Sequence, residues 1–126
     1  MENKPTIIPI YTSKGDAVAF LAYPYLYNRS GEWIGWVTPK RDVYSILGYY
    51  VGTLTNDPRI LRRRVTAPLK PRLAPPPPPP IKVYPSATIP LAPLMSELTF
   101  STVDVLLEEP ELLHTLDLGE LKEDLD

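Results

Sequence analysis

The chain has 126 residues with 17 prolines, no cysteine and one histidine, and a net charge of −2 at neutral pH. That length fits one modest domain; the lack of cysteine excludes disulfides and thiolate metal sites, and a lone histidine leaves no zinc site with the usual nitrogen and sulfur ligands. The small net charge conceals opposed halves: residues 1–95 carry twelve Lys/Arg against five Asp/Glu, and residues 96–126 carry one Lys against ten acids, as when a tail folds back on its own domain or meets a basic partner.

No basic-then-apolar leader opens MENKPTIIPIYTSKG, so a cytoplasmic protein is the expectation. The longest uncharged, mainly apolar run before the proline-rich part, AVAFLAYPYLYN, is interrupted by Pro24 and is too short to span a bilayer. From residue 10 onward the chain repeats itself. IYTSKGDAVAFLA at 10–22, LYNRSGEWIGWVT at 26–38 and VYSILGYYVGTLT at 43–55 share aliphatic-Tyr-x-x-x-Gly-x-x-Val/Ile-Ala/Gly-x-Leu/Val-Ala/Thr. A fourth, worn copy begins at Ile60-Leu61, where Val65 replaces the glycine.

Each copy reads as a β-hairpin, because Tyr, Val, Ile, Trp and Thr suit a pleated surface and the central glycine supplies a turn needing positive φ. Pro24, PKRD at 39–42 and NDP at 56–58 mark the returns. Seven strands are predicted, at 6–12, 17–23, 25–28, 33–38, 42–46, 49–55 and 59–65. Strict alternation places Val18, Phe20 and Ala22 on one face and Ala19 and Leu21 on the other, and likewise Ile34, Trp36 and Thr38 against Gly35 and Val37. Small residues at 19, 35 and 52 let hairpins crowd round a shared axis. No hairpin is stable alone, so the copies bury one another, with the aliphatics filling the centre and the tyrosines and tryptophans holding the copies together in a shared interior.

PIYTSKGDAVAFLA, YLYNRSGEWIGWVT and DVYSILGYYVGTLTNDPRI together resemble the four-fold β-flower domain family of small bacterial proteins over about residues 6–65. The resemblance implies an all-β fold of four hairpin petals about a pseudo-four-fold axis, and it carries over no catalytic, cofactor or ligand residue. Arg62, Arg63, Arg64 and Val65 stand where a glycine turn and a second strand would continue the fourth petal. Its second strand could therefore come from the proline segment or from another molecule.

Residues 1–66 thus form the hairpin domain, 67–95 a proline-rich connector and 96–126 an acidic, leucine-rich tail. The six prolines at 75–80 favour polyproline II, a rod of roughly 19 Å at about 3.1 Å per residue. LKPRLAPPPPPPIK reads first as a stiff spacer and second as an SH3- or WW-type ligand, with Arg72, Pro75 and Pro78 at the contact. A third reading lays the arm across its own β-domain, with Tyr84, Ile89 and Leu91 on exposed aromatics. In the tail, STVD at 101–104 suggests an N-cap opening a short helix before Pro110, with further short helices at 111–116 and 118–125. Leu106, Leu107 and Leu113 belong to its apolar stripe, and the tail docks on a basic partner or on its own domain near Arg59, Arg62, Arg63 and Arg64.

Catalytic chemistry finds little support. His114 is alone, and Asp16, Glu32, Asp42 and Asp57 all fall at turns; no phosphate loop, nucleophile elbow or HExxH is present. Arg59, Arg62, Arg63, Arg64, Lys70 and Arg72 beside aromatics are ingredients for single-stranded nucleic acid, although strand alternation opposes Arg63 to its neighbours and a charged protective edge strand explains them too. The sequence therefore points to a non-enzymatic protein-interaction module needing no cofactor or metal, with nucleic-acid binding as the alternative. Its oligomeric state is not legible.

Overall fold

The computed structural model describes residues 6–64, 70–80, 83 and 88–116. Seven strands lie inside the seven predicted spans: β1 (Ile8–Tyr11), β2 (Ala17–Ala22), β3 (Tyr25–Tyr27), β4 (Trp33–Val37), β5 (Asp42–Ser45), β6 (Tyr50–Leu54) and β7 (Ile60–Arg63). An eighth, β8 (Thr102–Asp104), arises where the sequence suggested a helix start, and α1 (Val105–Glu108) follows it. The strands form one antiparallel sheet in sequence order, curled into a half-barrel.

The repeated glycines make the turns. Gly15, Gly31 and Gly48 adopt φ of 91°, 79° and 89°. In each loop the glycine N–H donates three residues back and the first residue's N–H donates to the carbonyl just past the glycine, as in Gly15 N to Thr12 O and Thr12 N to Asp16 O, both 2.9 Å. This is the three-residue hairpin loop, whose last position is left-handed.

Beyond each turn the pairing slips by one residue. Ile10 faces Ala19 but Tyr11 faces Ala17; Leu26 and Tyr27, and Val43 and Tyr44, show the same shift. Val18, Ile34 and Val51 are therefore bulge residues, each an extra residue in its strand. The bulge corrects the predicted alternation, because Val18 and Ile34 join Ala19, Leu21 and Val37 in the axial core instead of siding with Phe20 and Trp36. That core is wholly aliphatic, and Ile10, Leu26, Val43 and Ile60, one per petal, are all fully buried. The aromatics are not its filling: Tyr11 and Phe20 form one separate cluster, and Tyr27 with Tyr25 and Trp33 another.

Crowding explains the small residues. A Cβ on Gly35 would stand 2.7 Å from the Tyr44 carbonyl oxygen and 2.9 Å from Leu113 Cδ2, with the next strand and the tail both in the way.

β8 supplies the fourth petal's second strand, pairing Leu61 with Asp104, Arg62 with Val103 and Arg63 with Thr102. β7 is thus an interior strand, which removes the protective-edge account of its arginines. Val105, Leu106 and Leu113 then enter the axial core from the segment after β8. At the seam, Tyr11 N donates to Pro58 O at 2.8 Å, joining the first petal to the fourth. The equivalent carbonyls of Pro24 and Arg41 instead accept from Val37 and Leu54 within their own petals.

Candidate interaction surface

The proline-rich segment begins by fastening itself to the third petal. Lys70 Nζ lies 2.8 Å from Asp42 Oδ2 and 5.2 Å from the Tyr50 ring centre, and the hydrogen bond it donates to Asp42 raises the lysine's pKa. Arg72 Nε donates to Leu47 O at 2.7 Å while its guanidinium covers the Tyr49 ring at 4.9 Å. Leu73 N donates to Gly48 O at 2.9 Å. Further on, Tyr25 Oη donates to Pro77 O and Tyr11 Oη to Pro90 O, both at 2.7 Å. Val83 is buried in the cluster of Ala22 and Tyr27, and Ala92 packs against that of Tyr11, Ala17 and Phe20.

The aromatics of the repeat make the bed for this strap. Tyr25 meets Trp33 edge-on at 6.0 Å, Trp36 stacks on Tyr44 at 5.0 Å, and Tyr44 meets Tyr50 edge-on at 5.9 Å. Tyrosine hydroxyls on proline carbonyls beside aromatic faces are the means by which proline-rich ligands are held, and the chain uses them on itself. Pro76 and Pro79, three apart, are half-buried while Pro75 and Pro78 are exposed, which matches three residues per turn.

The strap makes Gly48 a sensitive position. A Cβ there would lie 2.0 Å from Leu73 O, at a backbone φ of 89°. Gly48→Ala should therefore expel the strap near Leu73 and raise the rate of proteolytic cleavage at Arg72 several-fold. Its melting temperature should drop by only a few degrees, because left-handed strain in alanine is worth about 1–2 kcal/mol. An unchanged cleavage rate would contradict this.

Outward of the strap the chain is apolar. Leu91 is 95% exposed, Leu94 102% and Phe100 85%. Leu91 thus does not pack on the aromatics as the self-docking reading expected, Ile89 is partly exposed, and Tyr84 lies outside the described residues. Of the three tail leucines expected at a contact, Leu106 and Leu113 are buried in the core and unavailable to a partner, whereas Leu107 is partly exposed. They turn inward because β8 docks the tail's start against the open petal.

The arginines answer the tail. Arg62 Nη2 lies 2.6 Å from Glu109 Oε1, and Arg64 Nη2 3.1 Å from Glu108 Oε1. Arg64 also donates to Phe100 O at 2.8 Å and covers that ring at 4.6 Å. The hydrogen bond from Arg64 holds the Glu108 carboxyl below its usual range. Arg63 is exposed at the end of β7.

One cluster was only partly legible in the sequence, which set the tail near Arg59 but did not bring in Ser13 or Asp57. Arg59, 2% exposed, pairs with Asp57 at 2.7 Å and donates to Ser13 Oγ at 2.9 Å, and Ser13 donates through N and Oγ to Asp104 Oδ2, both at 2.6 Å. Hydrogen bonding from Arg59 holds the Asp57 carboxyl below its ordinary value. The group spans the seam, drawing on the first petal's turn, the last return and β8. Ser13, Arg59 and Asp104 also border a cavity of about 470 Å³ beneath Ser96, Thr99 and Phe100. The repeat carried no hint of this, since its only trace is a polar NDPR return. His114 is buried, with Nδ1 3.0 Å from the Thr115 carbonyl, and lines a different hollow.

Among the described residues no three His, Asp or Glu side chains gather as a metal site, and no helix is long and apolar enough to cross a membrane. The model of the family described as 4-fold beta flower protein matches residues 8–105, so the chain belongs to that family, and the match extends through the proline-rich segment to β8. No curated protein and no solved structure matches the chain.

Proposed function

We propose that this member of the 4-fold beta flower family is a non-enzymatic interaction module that binds another protein through the outer side of its strap. The observation that carries this reading is the trio Leu91, Leu94 and Phe100, the most exposed large apolar side chains among the described residues, within ten positions of one another. Apolar side chains gathered on one exposed segment suit a contact surface. The Tyr11–Pro90 hydrogen bond and the packing of Ala92 hold the inner side of the same segment, so less conformational freedom is lost on binding. Two of the candidate contacts, Pro75 and Pro78, add an outward proline face. The single-stranded nucleic-acid alternative has less support: Arg62 and Arg64 each face a glutamate, and the arm covers Tyr25.

A photo-crosslinking amino acid at position 94, in cells that make the protein, should yield a discrete protein adduct that weakens when Leu91→Ser and Phe100→Ser are added. The same group at Glu32, on the exposed turn of the second petal, is the background control. Adducts at 94 no stronger than that background would overturn the strap as the contact. Purified protein should pass through an oligonucleotide column at low salt, and salt-sensitive retention would favour the alternative.

A further inference from the structure

The returns of the flower surround a pocket of about 530 Å³, within the usual range for small-molecule sites. Its lining follows the repeat. Leu21, Val37 and Leu54 occupy one repeat position in three petals, and Ile8, Arg41 and Pro58 occupy another. The pocket therefore lies on the pseudo-axis, at the mouth opposite the end that Leu113 and α1 fill. Its base is aliphatic core and its rim is polar, with Thr38, Thr55 and Asn56.

Arg41 breaks the symmetry. The matching positions hold Ile8, Pro24 and Pro58, all uncharged. Arg41 is also the one non-glycine residue at positive φ among the described residues, at 70°. Such a backbone is unfavourable for a side-chain-bearing residue and persists where the surroundings hold it. They do so here: Nε donates to Leu54 O at 2.8 Å and Nη2 to Thr55 O at 2.9 Å, which fixes the guanidinium over two pocket-lining residues. Three of the five guanidinium donors remain after these two bonds. Among the described residues no Asp or Glu lines the pocket, and the nearest acids along the chain from Arg41 and Pro58, Asp42 and Asp57, are engaged by Lys70 and Arg59. Lys40, next in the chain, adds a second exposed cation.

An apolar hollow with one guanidinium held at its lip suits a ligand with an aliphatic body and an anionic planar head. We infer that the axial mouth is a binding site for a small aliphatic monocarboxylate, with the chain among Leu21, Val37 and Leu54 and the carboxylate on Arg41. This inference does not depend on the strap as a contact surface.

Octanoate titrated into the full-length protein, followed by methyl NMR, should give saturable shifts at Leu21, Val37 and Leu54 in the millimolar range or tighter, that is, a binding energy of about 4 kcal/mol or more. Octanol and octylammonium, with the same chain, should bind about 10-fold more weakly, as fits one partly exposed ion pair. Arg41→Gly, whose new residue accepts the positive φ, should abolish that preference with little change elsewhere in the spectrum. Arg41→Gln provides the same readout should the glycine variant fail to fold. Failure of octanoate to saturate, shifts at other residues, or equal affinities for octanoate and octanol would each overturn the assignment.

Discussion

A chain ended at Leu73 is expected to lose its folded structure, although it retains all three complete repeats. It would lack Val103, Val105, Leu106 and Leu113, which are 1%, 0%, 9% and 7% exposed in the axial core. Burying one such side chain is worth about 1.5–3 kcal/mol, so the four together supply roughly 6–12 kcal/mol. A whole domain is typically stable by only about 5–15 kcal/mol. The cut also strips β8 from β7, leaving the backbone groups of Leu61, Arg62 and Arg63 unpaired on that side. Circular dichroism of the truncated chain should show no cooperative urea transition. Val105→Ala in the full chain should fold but lose about 2–3 kcal/mol. A cooperative transition in the 1–73 chain would show that the petals close without their last strand.

The second large effect is expected at the seam. Arg59→Met keeps an apolar stem of similar length but leaves Asp57 and Asp104 without the guanidinium that links them through Ser13. Removing one partner of a buried charged cluster is worth about 3–5 kcal/mol, and urea unfolding should show a loss of that order. Adding Asp104→Leu should recover part of it, because the stranded carboxylate is then gone; a purely additive double variant would argue against the linkage. The wild-type contribution has a defined acid dependence. Because the Asp57 pKa is lowered from 3.8 by the Arg59 hydrogen bond, its stabilisation is complete above the unfolded carboxyl value and fades as pH falls through the depressed folded one. Arg59→Met should flatten that acid limb, and an unaltered limb would place the acid sensitivity elsewhere.

The petals, their turns and the family were legible because their causes are local. A glycine at 15, 31 or 48 dictates a left-handed turn with reference only to its neighbours, and the recurrence of Tyr, Gly and Val/Ile shows how often the same ribbon is made. The bulges were not legible, because Val18, Ile34 and Val51 fit an alternating strand equally well until a partner strand fixes the register. That one-residue slip decided which side chains fill the axis and left the aromatic rings outside it.

The sequence by itself determined the ribbon: an all-β repeat, reversals at fixed spacing, a proline segment unable to be helix or interior strand, and acids set against arginines. Only the tertiary structure decided which distant segment completes the last petal, where the proline strap lies, and that Arg59, Ser13 and Asp104 meet at one seam. Turn chemistry acts between neighbours along the chain, whereas a vacant sheet edge or a buried charge is answered by whichever segment closure of the flower brings within reach.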